Sequence, residues 1–282
     1  MEIAVLGPLT ASQSHTSIVP TAGKPRQILA LLALHAGRMV TVPTLMEEIW
    51  GEDMPRSAST TLQTYILQLR RKIATALSAD AARQDGGGQR EAKDVLTTWY
   101  GGYRLDVPAG SVDVQDFERL AAQGRTAHEL GDHRAASDLL GRALEMWRGP
   151  ALVDVRVGPV LELEVLRLEE LRTSTLERRI DADLRLGRHA ELLGELHVLT
   201  KRHPMHEGFC GQLMLAYYRA GSAWRALDAY QRLRGTLVEE LGIEPSPRTQ
   251  QLQHAILAGE PWLDLSDAPG VPGAGLRSVA GA

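Results

Sequence analysis

The spacing of apolar residues divides the chain into a mixed amino-terminal part and a purely helical remainder. The β-branched run EIAVLG at residues 2–7 predicts a strand that ends in a Gly-Pro turn, and residues 15–19 allow a second short strand. Apolar residues then recur at helical spacing in residues 25–36 and again within residues 40–51, and a glycine closes each of these segments. The first fifty residues therefore predict short strands followed by two helices.

A third and longer helix is predicted from Ala58 to Leu77. Residues 78–93 have the composition of a mobile loop, and the segment VLTTWYGGYRLDV after it predicts a β-hairpin that turns at Tyr100-Gly101-Gly102. Two helices, a longer third helix and a hairpin follow the order of a winged helix-turn-helix domain. At about 100° per residue, the apolar residues of the third helix fall on one narrow stripe: Leu62, Ile66, Leu69, Ile73 and Leu77.

From Asp113 to Ala258 only helical periodicity remains, and it contains an internal repeat that aligns on Gly131, Gly187 and Gly221. The last two glycines are 34 residues apart, which is the period of tetratricopeptide helix hairpins. The first interval is 56 residues, so one repeat is either degenerate or enlarged. Small or apolar residues occupy three matching positions in each copy: Ala136, Leu192 and Ala226; Leu140, Leu196 and Tyr230; Ala143, Leu199 and Leu233.

These patterns predict a mainly α protein with a small β component. We expect a winged helix-turn-helix domain at residues 1–107 and an all-α tetratricopeptide-like repeat domain at residues 113–258. The tail at residues 259–282 is rich in Gly, Pro and Ala and is expected to be disordered, although Trp262 and Leu263 could pack onto the last helices.

Composition narrows the classes of function. The formal net charge of −4 divides into +1 for residues 1–106 and −5 for residues 107–282, which argues against a wholly basic nucleic-acid binder. Cys210 is the only cysteine, so no disulfide can form within the chain, and we expect it in the core. Without a signal peptide or an apolar run of membrane length, a cytoplasmic protein that contacts no membrane is expected.

The polar face of the third helix carries the strongest functional signal. Residues 56–77 hold four cations and no acidic residue, although a merely solvated helix face usually mixes acids with bases. A surface that approaches DNA phosphates excludes carboxylates for electrostatic reasons. The cluster Arg70-Arg71-Lys72 could instead complement the negative end of the helix dipole, and the outward-facing Leu67 fits neither interpretation well.

Several segments, taken in order, resemble the SARP family, the Streptomyces antibiotic regulatory proteins. They are VLGPL, RQILALLALHAGRMV, LMEEIWG, TLQTYILQLRRKI and GGYRLDV, and the following repeats extend the resemblance to about residues 2–258. The resemblance implies an OmpR-like DNA-binding domain and a bacterial transcriptional activation domain. It further implies action at the nucleoid, on tandem direct repeats near the −35 element of promoters of antibiotic or other secondary-metabolite clusters. The implied partners are double-stranded promoter DNA, a second copy of the chain on that DNA, and the sigma and alpha subunits of RNA polymerase.

The resemblance also implies which residues contact DNA. Leu67 and Gln68 stand where the family pattern leads us to expect a small polar residue and a longer basic one, which leaves open the bases that are read. The candidates are Thr60, Thr61, Gln63, Thr64, Gln68 and Arg71 on the third helix; Arg56 and Lys72 for phosphate at its ends; Tyr100 and Arg104 on the wing; and, as weaker phosphate candidates, Lys24 and Arg26.

An enzyme and a protein scaffold are the competing interpretations. The chain has no G-x-x-x-x-G-K-[ST] phosphate loop, and its nine histidines are scattered. His203 and His206 are close in sequence, but no carboxylate or cysteine joins them at ligand spacing. We therefore expect no enzymatic activity, no metal and no cofactor. The scaffold alternative is a helical-repeat protein whose winged helix does not bind DNA, and it is motivated by the charge of only +1 over residues 1–106.

Overall fold

A computed structural model describes residues 1–81 and 91–264 of the chain. Residues 82–90, which form most of the predicted loop, and residues 265–282, which form most of the predicted tail, lie outside the described residues. The chain divides into two compact units, unit 1 (Met1–Ala182) and unit 2 (Asp183–Ala282).

The described residues are mostly helical, with two small sheets, as the sequence predicts. The strands are β1 (Glu2–Ala4), β2 (Thr10–Gln13), β3 (Thr16–Ser17), β4 (Met39–Thr41), β5 (Leu96–Trp99) and β6 (Gly102–Leu105). The helices are α1 (Gly23–Leu34), α2 (Val42–Trp50), α3 (Ala58–Ala81), α4 (Ala92–Val95), α5 (Asp113–Glu129), α6 (His133–Glu145), α7 (Pro159–Arg185), α8 (His189–Arg202), α9 (Glu207–Arg219), α10 (Ala223–Leu241) and α11 (Pro247–Ala258).

Unit 1 begins with a winged helix-turn-helix that contains α1, α2 and α3 and two antiparallel sheets, with β4 placed between α1 and α2 in sequence. The first sheet has the strand order β1-β2-β3 and the second has the order β4-β6-β5. The predicted hairpin is formed by β5 and β6, with Trp99 paired opposite Gly102. A Cβ atom on Gly102 would lie 2.4 Å from the carbonyl oxygen of Val40, so only glycine allows β4 and β6 to approach this closely.

Two strands, β2 and β4, were not predicted from the sequence, because they are too short to show the alternation of apolar and polar residues that marks a strand. β2 (sequence TASQ) and β4 (sequence MVT) each bury a single apolar residue, Ala11 and Val40. The first strand was predicted at residues 2–7, but it ends at Ala4, and the next residues, Val5 and Leu6, are fully buried outside the strand. Tertiary packing rather than local alternation defines these strands.

α3 confirms the predicted seam and extends it. Leu62, Ile66, Leu69 and Ile73 are buried, and Leu77 is half-buried. The helix continues to Ala81, four residues beyond the predicted end at Leu77. The extension is explained by the segment Ser78–Ala81, which contains neither glycine nor proline and therefore carries no strong helix-stop signal.

The core of unit 1 does not end with the winged helix. The buried cluster that contains Leu62 and Ile66 of α3 also contains Phe117 of α5, Leu161 of α7 and Trp147, which follows α6. The rings of Phe117 and Trp147 meet edge to face, with their centroids 5.3 Å apart. Helices α5 and α6 and the first half of α7 therefore complete the same hydrophobic core that α3 faces.

The repeat glycines occupy turns between paired helices. Gly131, Gly187 and Gly221 have φ angles of +79°, +82° and +74°, a left-handed conformation that favours glycine. The first interval is an enlarged repeat, since it holds α6, a connecting segment and the 27-residue helix α7. All nine aligned small or apolar residues are buried: Ala136, Leu140, Ala143, Leu192, Leu196, Leu199, Ala226, Tyr230 and Leu233.

The described start of the tail is ordered. Residues Pro261–Leu263 form a single 3₁₀ turn, and the carbonyl of Leu263 accepts a hydrogen bond from Nε of Arg219 at 2.8 Å. Leu263 is buried, as the sequence allows, whereas Trp262 is exposed. Across residues 1–81 and 91–264, none of the helices combines the length and the apolar character that a membrane span requires.

Candidate nucleic-acid interface

Over residues 58–77, the outer face of α3 presents a polar surface without acidic residues. The hydroxyl of Thr64 donates to the carbonyl of Thr60 at 3.0 Å, which leaves the Thr64 oxygen available as an acceptor. Leu67, 48% exposed, is the one large apolar residue on this face. Thr61 is half-buried at the edge of the face. The exposed candidates on this helix are Thr60, Gln63, Thr64, Gln68 and Arg71.

The cationic cluster at residues 70–72 separates into three environments. Arg70 is half-buried, and its guanidinium donates from Nε and Nη2 to the carbonyl of Leu96 at 2.9 and 2.7 Å and from Nη2 to the Thr98 hydroxyl at 2.8 Å. Arg71 is exposed and Lys72 is half-buried, and neither pairs with a carboxylate among residues 1–81 and 91–264. Arg70 therefore fastens α3 to β5, whereas Arg71 and Lys72 remain available to a partner.

Arg70 links α3 to the wing, a contact that was not predicted from the sequence. Its three hydrogen bonds to β5 set the position of the wing relative to α3. A signal was present, because Arg70 lies four residues after the buried Ile66 and one residue after the buried Leu69. At helical spacing that position borders the core rather than the centre of the outer face.

The tip of the wing is aromatic. Tyr100 is fully exposed, and Gly101 supports the turn with a φ of +82°. Trp99, 48% exposed, lies under the Arg104 guanidinium, whose central carbon is 4.4 Å from the ring centroid. Arg104 Nε also forms an ion pair with the Asp106 carboxylate at 2.6 Å. The guanidinium of Arg104 thus supports Trp99, an exposed aromatic residue that the sequence analysis did not single out.

The remaining candidates divide into one exposed cation and two that make internal contacts. Arg56 is exposed in the turn that precedes α3. The Lys24 ammonium lies 5.0 Å from the ring centroid of Trp50. Arg26 donates from Nη1 to the carboxylate and the carbonyl of Asp154, both at 3.1 Å. Arg56 therefore lies with the α3 candidates, and the DNA contacts of Lys24 and Arg26 stay predictions.

A winged helix followed by helical repeats indicates a transcription regulator, and comparisons with known proteins support this class. Residues 16–105 match the family described as "Transcriptional regulatory protein, C terminal", and residues 112–257 match the "Bacterial transcriptional activator domain". Regulatory protein DnrI of Streptomyces peucetius is 53% identical over 280 residues, which cover 99% of this chain and 100% of that protein. The chain belongs to the SARP family of transcriptional activators.

Longer regulators contain a similar region. Regulatory protein AfsR of Streptomyces coelicolor is 36% identical over 95% of this chain, which spans only 25% of AfsR. A solved structure of Mycobacterium tuberculosis EmbR, in complex with a low-affinity phosphopeptide, matches with a TM-score of 0.83 and 31% identity, covering 92% of this chain and 65% of EmbR. Both domains of this chain are thus of regulatory rather than enzymatic families.

Proposed function

We propose that the protein binds promoter DNA of a secondary-metabolite gene cluster through the outer face of α3 and activates transcription through its helical repeats. The observation that carries this proposal is the acid-free outer face, on which Gln63, Gln68 and Arg71 are exposed together. In the same unit, Arg26 and Arg104 are paired with carboxylates. Unpaired cations and amides concentrated on one helix suit a polyanion with base edges to read.

The residue types on α3 match the chemistry of the DNA major groove. Arg71 can donate two hydrogen bonds to the O6 and N7 atoms of guanine, and Gln63 and Gln68 can bond the N6 and N7 atoms of adenine. The Thr64 oxygen, whose own proton is directed to Thr60, can accept from an amino group of a base. The exposed Leu67 can contact a thymine methyl group.

Phosphate contacts would flank this helix. Arg56 precedes α3, Lys72 lies past its middle, and Tyr100 is at the tip of the wing. Because residues 1–106 carry a charge of only +1, each protomer can neutralise few phosphates. Two copies bound to tandem direct repeats about one helical turn apart would supply the missing affinity.

Activation is assigned to the helical repeats. Stacked helix pairs give an extended surface suited to protein partners, and residues 112–257 match a family whose description is that of a transcriptional activator domain. We infer that this region recruits RNA polymerase through its sigma and alpha subunits, at the nucleoid in the cytoplasm.

The test is the affinity of the purified full chain for labelled fragments from the regions upstream of its neighbouring genes. Fluorescence anisotropy should detect saturable binding that one fragment competes better than random DNA, and log Kd should vary linearly with log salt concentration. Run-off transcription from that fragment should rise when the protein is added. Absence of binding at low salt by a folded protein would contradict the proposal.

A helical-repeat scaffold without DNA binding is the second candidate function. Two observations favour it: the low charge of residues 1–106 and the internal contacts that engage Lys24, Arg26 and Arg104. It predicts no DNA binding in the anisotropy measurement and undiminished binding of protein partners by an Arg71→Ala variant.

A further inference from the structure

Glu48 is a buried carboxylate that lies near the end of α2, the first helix of the helix-turn-helix. Its side chain is 1% exposed. Its Oε1 accepts from the backbone N–H of Gly158 at 2.6 Å, and its Oε2 accepts from those of Val160 at 3.1 Å and Leu161 at 2.8 Å. A weaker contact from the Gln27 amide, at 3.4 Å, completes its surroundings.

These contacts make Glu48 the amino-terminal cap of α7. The first N–H groups of any helix lack partners within the helix, and the helix dipole favours a negative charge at this end. A cap is usually supplied by the residue that precedes the helix, whereas here it comes from a position about 110 residues earlier. Burial raises the pKa of Glu48, and the hydrogen bonds from the α7 backbone lower it only in part.

Gly158 provides an independent observation of the same contact. A Cβ atom at this position would lie 1.9 Å from the carbonyl oxygen of Glu48, far closer than two such atoms can approach. Any larger residue would push the start of α7 away from the end of α2. Glycine at position 158 is therefore required by the close approach of the two chain segments.

Two further carboxylates tie the turn between β1 and β2 to α5 and to the segment that precedes α7. Asp113, the first residue of α5, accepts from the backbone N–H groups of Val5 at 2.8 Å and Leu6 at 3.1 Å. Asp154 accepts from the N–H of Leu9 at 2.7 Å and forms the ion pair with Arg26. Polar contacts and the shared core thus leave α2 and the start of α7 in one compact structure.

We propose that Glu48 is a positioning residue that fixes the start of α7 to the helix-turn-helix, so that the placement of α7 follows the placement of α3 on DNA. α2 leads through a short turn directly into α3, and the same helix carries the cap of α7. This inference rests on the proposed function. It assigns to Glu48 a role in passing from DNA binding to activation, without any contact to DNA or polymerase.

The experiment compares the full-length Glu48→Gln variant with Glu47→Gln, an exposed glutamate one position earlier on α2. Glu48→Gln removes the charge at constant size and replaces one acceptor oxygen by an amide. We expect unchanged DNA affinity in the anisotropy assay, a loss of at least about fivefold in run-off transcription, and faster hydrogen exchange at the amides of residues 158–161. Glu47→Gln should match the wild type in all three measurements.

Three results would overturn the inference. Normal activation despite faster exchange would show that capping is not needed for activation. A proportional loss of DNA binding, activation and melting temperature would assign Glu48 to stability alone. If Glu48→Gln fails to fold, Gly158→Ala disturbs the contact from the other side, and unfolding of that variant too would have the same meaning. Failure of the wild type to bind DNA would instead contradict the proposed function.

Discussion

The two faces of α3 differ in burial and in chemical character. The inner face consists of Leu62, Ile66 and Leu69, which are at most 2% exposed and belong to the core of unit 1. The outer face exposes Gln68 and Arg71, and Arg71 makes no ion pair in the part of the chain that the structure describes. Folding alone explains the inner residues, because burial of apolar area stabilises the unit. It does not explain why residues 58–77 carry no acid, whereas the proposed binding of DNA, a polyanion, would explain it.

The largest expected effect separates neighbouring residues on the two faces. Ile66→Ala should lower the free energy of unfolding by about 2–5 kcal/mol, since it leaves a cavity in the core. Leu67→Ala, one residue further on, should change it by less than about 0.5 kcal/mol because Leu67 is exposed. Chemical denaturation followed by circular dichroism measures both. Equal losses would show that Leu67 also packs against the protein.

Arg70 lies at the border between the two faces of α3, and its substitution should lower both the stability of the protein and its affinity for DNA. Arg70→Ala removes three hydrogen bonds to β5 and should cost about 1–3 kcal/mol of stability. DNA affinity should fall as well, since the wing loses its link to α3. Arg70→Lys, with its single ammonium, should restore stability only in part. Thermal melting and anisotropy on the same samples test this, and a loss of affinity without any loss of stability would contradict it.

Substitution of Arg71 should lower DNA affinity without lowering stability. Arg71→Ala should weaken binding to the preferred fragment by about 1–3 kcal/mol if the guanidinium reads a base or binds phosphate well. Its melting temperature should not change, because the side chain is exposed. The matched control is Arg134→Ala, which removes an exposed arginine from α6. Unchanged affinity of Arg71→Ala would remove this residue from the interface.

Lys72 should have a smaller and less selective effect. Lys72→Ala is expected to weaken the binding of all DNA sequences alike, since a phosphate contact carries no sequence information. The slope of log Kd against log salt concentration should fall by about one. Titrations of specific and random fragments at several salt concentrations measure this. A loss confined to the specific fragment would reassign Lys72 to base reading.

A pH titration distinguishes the buried cap of unit 1 from an analogous half-buried one in unit 2. Glu207 accepts from the N–H and the hydroxyl of Ser246 at the start of α11. Partial burial raises the pKa of Glu207, but its hydrogen bonds outweigh that effect and leave the pKa below its ordinary value of 4.5. The stability it contributes is therefore present above pH 4.5 and is lost as the pH falls through the lowered pKa.

For Glu48 the sign is reversed. Its raised pKa means that ionisation disfavours the folded state, so protonation adds stability as the pH falls through that raised value.

Because Glu207 loses its stabilising contribution when it is protonated, the difference in melting temperature between wild type and Glu207→Gln should disappear below the lowered pKa of Glu207. A difference that persists unchanged below the lowered pKa of Glu207 would contradict the assigned hydrogen bonds.

Local periodicity was sufficient to predict the inner face of α3 and the repeat turns. Ile66 and Leu69 recur at helical spacing, and Gly187 and Gly221 sit at a 34-residue period that follows from helix-pair stacking. Both signals lie within short windows of the sequence. The strand β4 carries no such signal, because its three residues pair with β6 more than sixty positions later.

The contacts that were not predicted from the sequence join residues that are far apart in the chain. Glu48 reads as a polar residue of an amphipathic helix, and nothing nearby indicates that Gly158 approaches it. The ion pair of Arg26 with Asp154 is hidden for the same reason. The stacking of Arg104 on Trp99 was not predicted either, and the DNA contact of Arg104 on the wing stays a prediction. Charge patterns show which residues suit DNA, whereas only the fold shows which of them are left free.

A DNase I footprint of the full chain on the regions upstream of its neighbouring genes is the most direct test of DNA recognition by α3. We expect protection of two tandem direct repeats about one helical turn apart, overlapping a −35 element, and loss of that protection with Arg71→Ala at the same concentration. A folded protein that leaves every upstream region unprotected at low salt would contradict DNA recognition by α3. Attention would then turn to protein partners of the helical repeats.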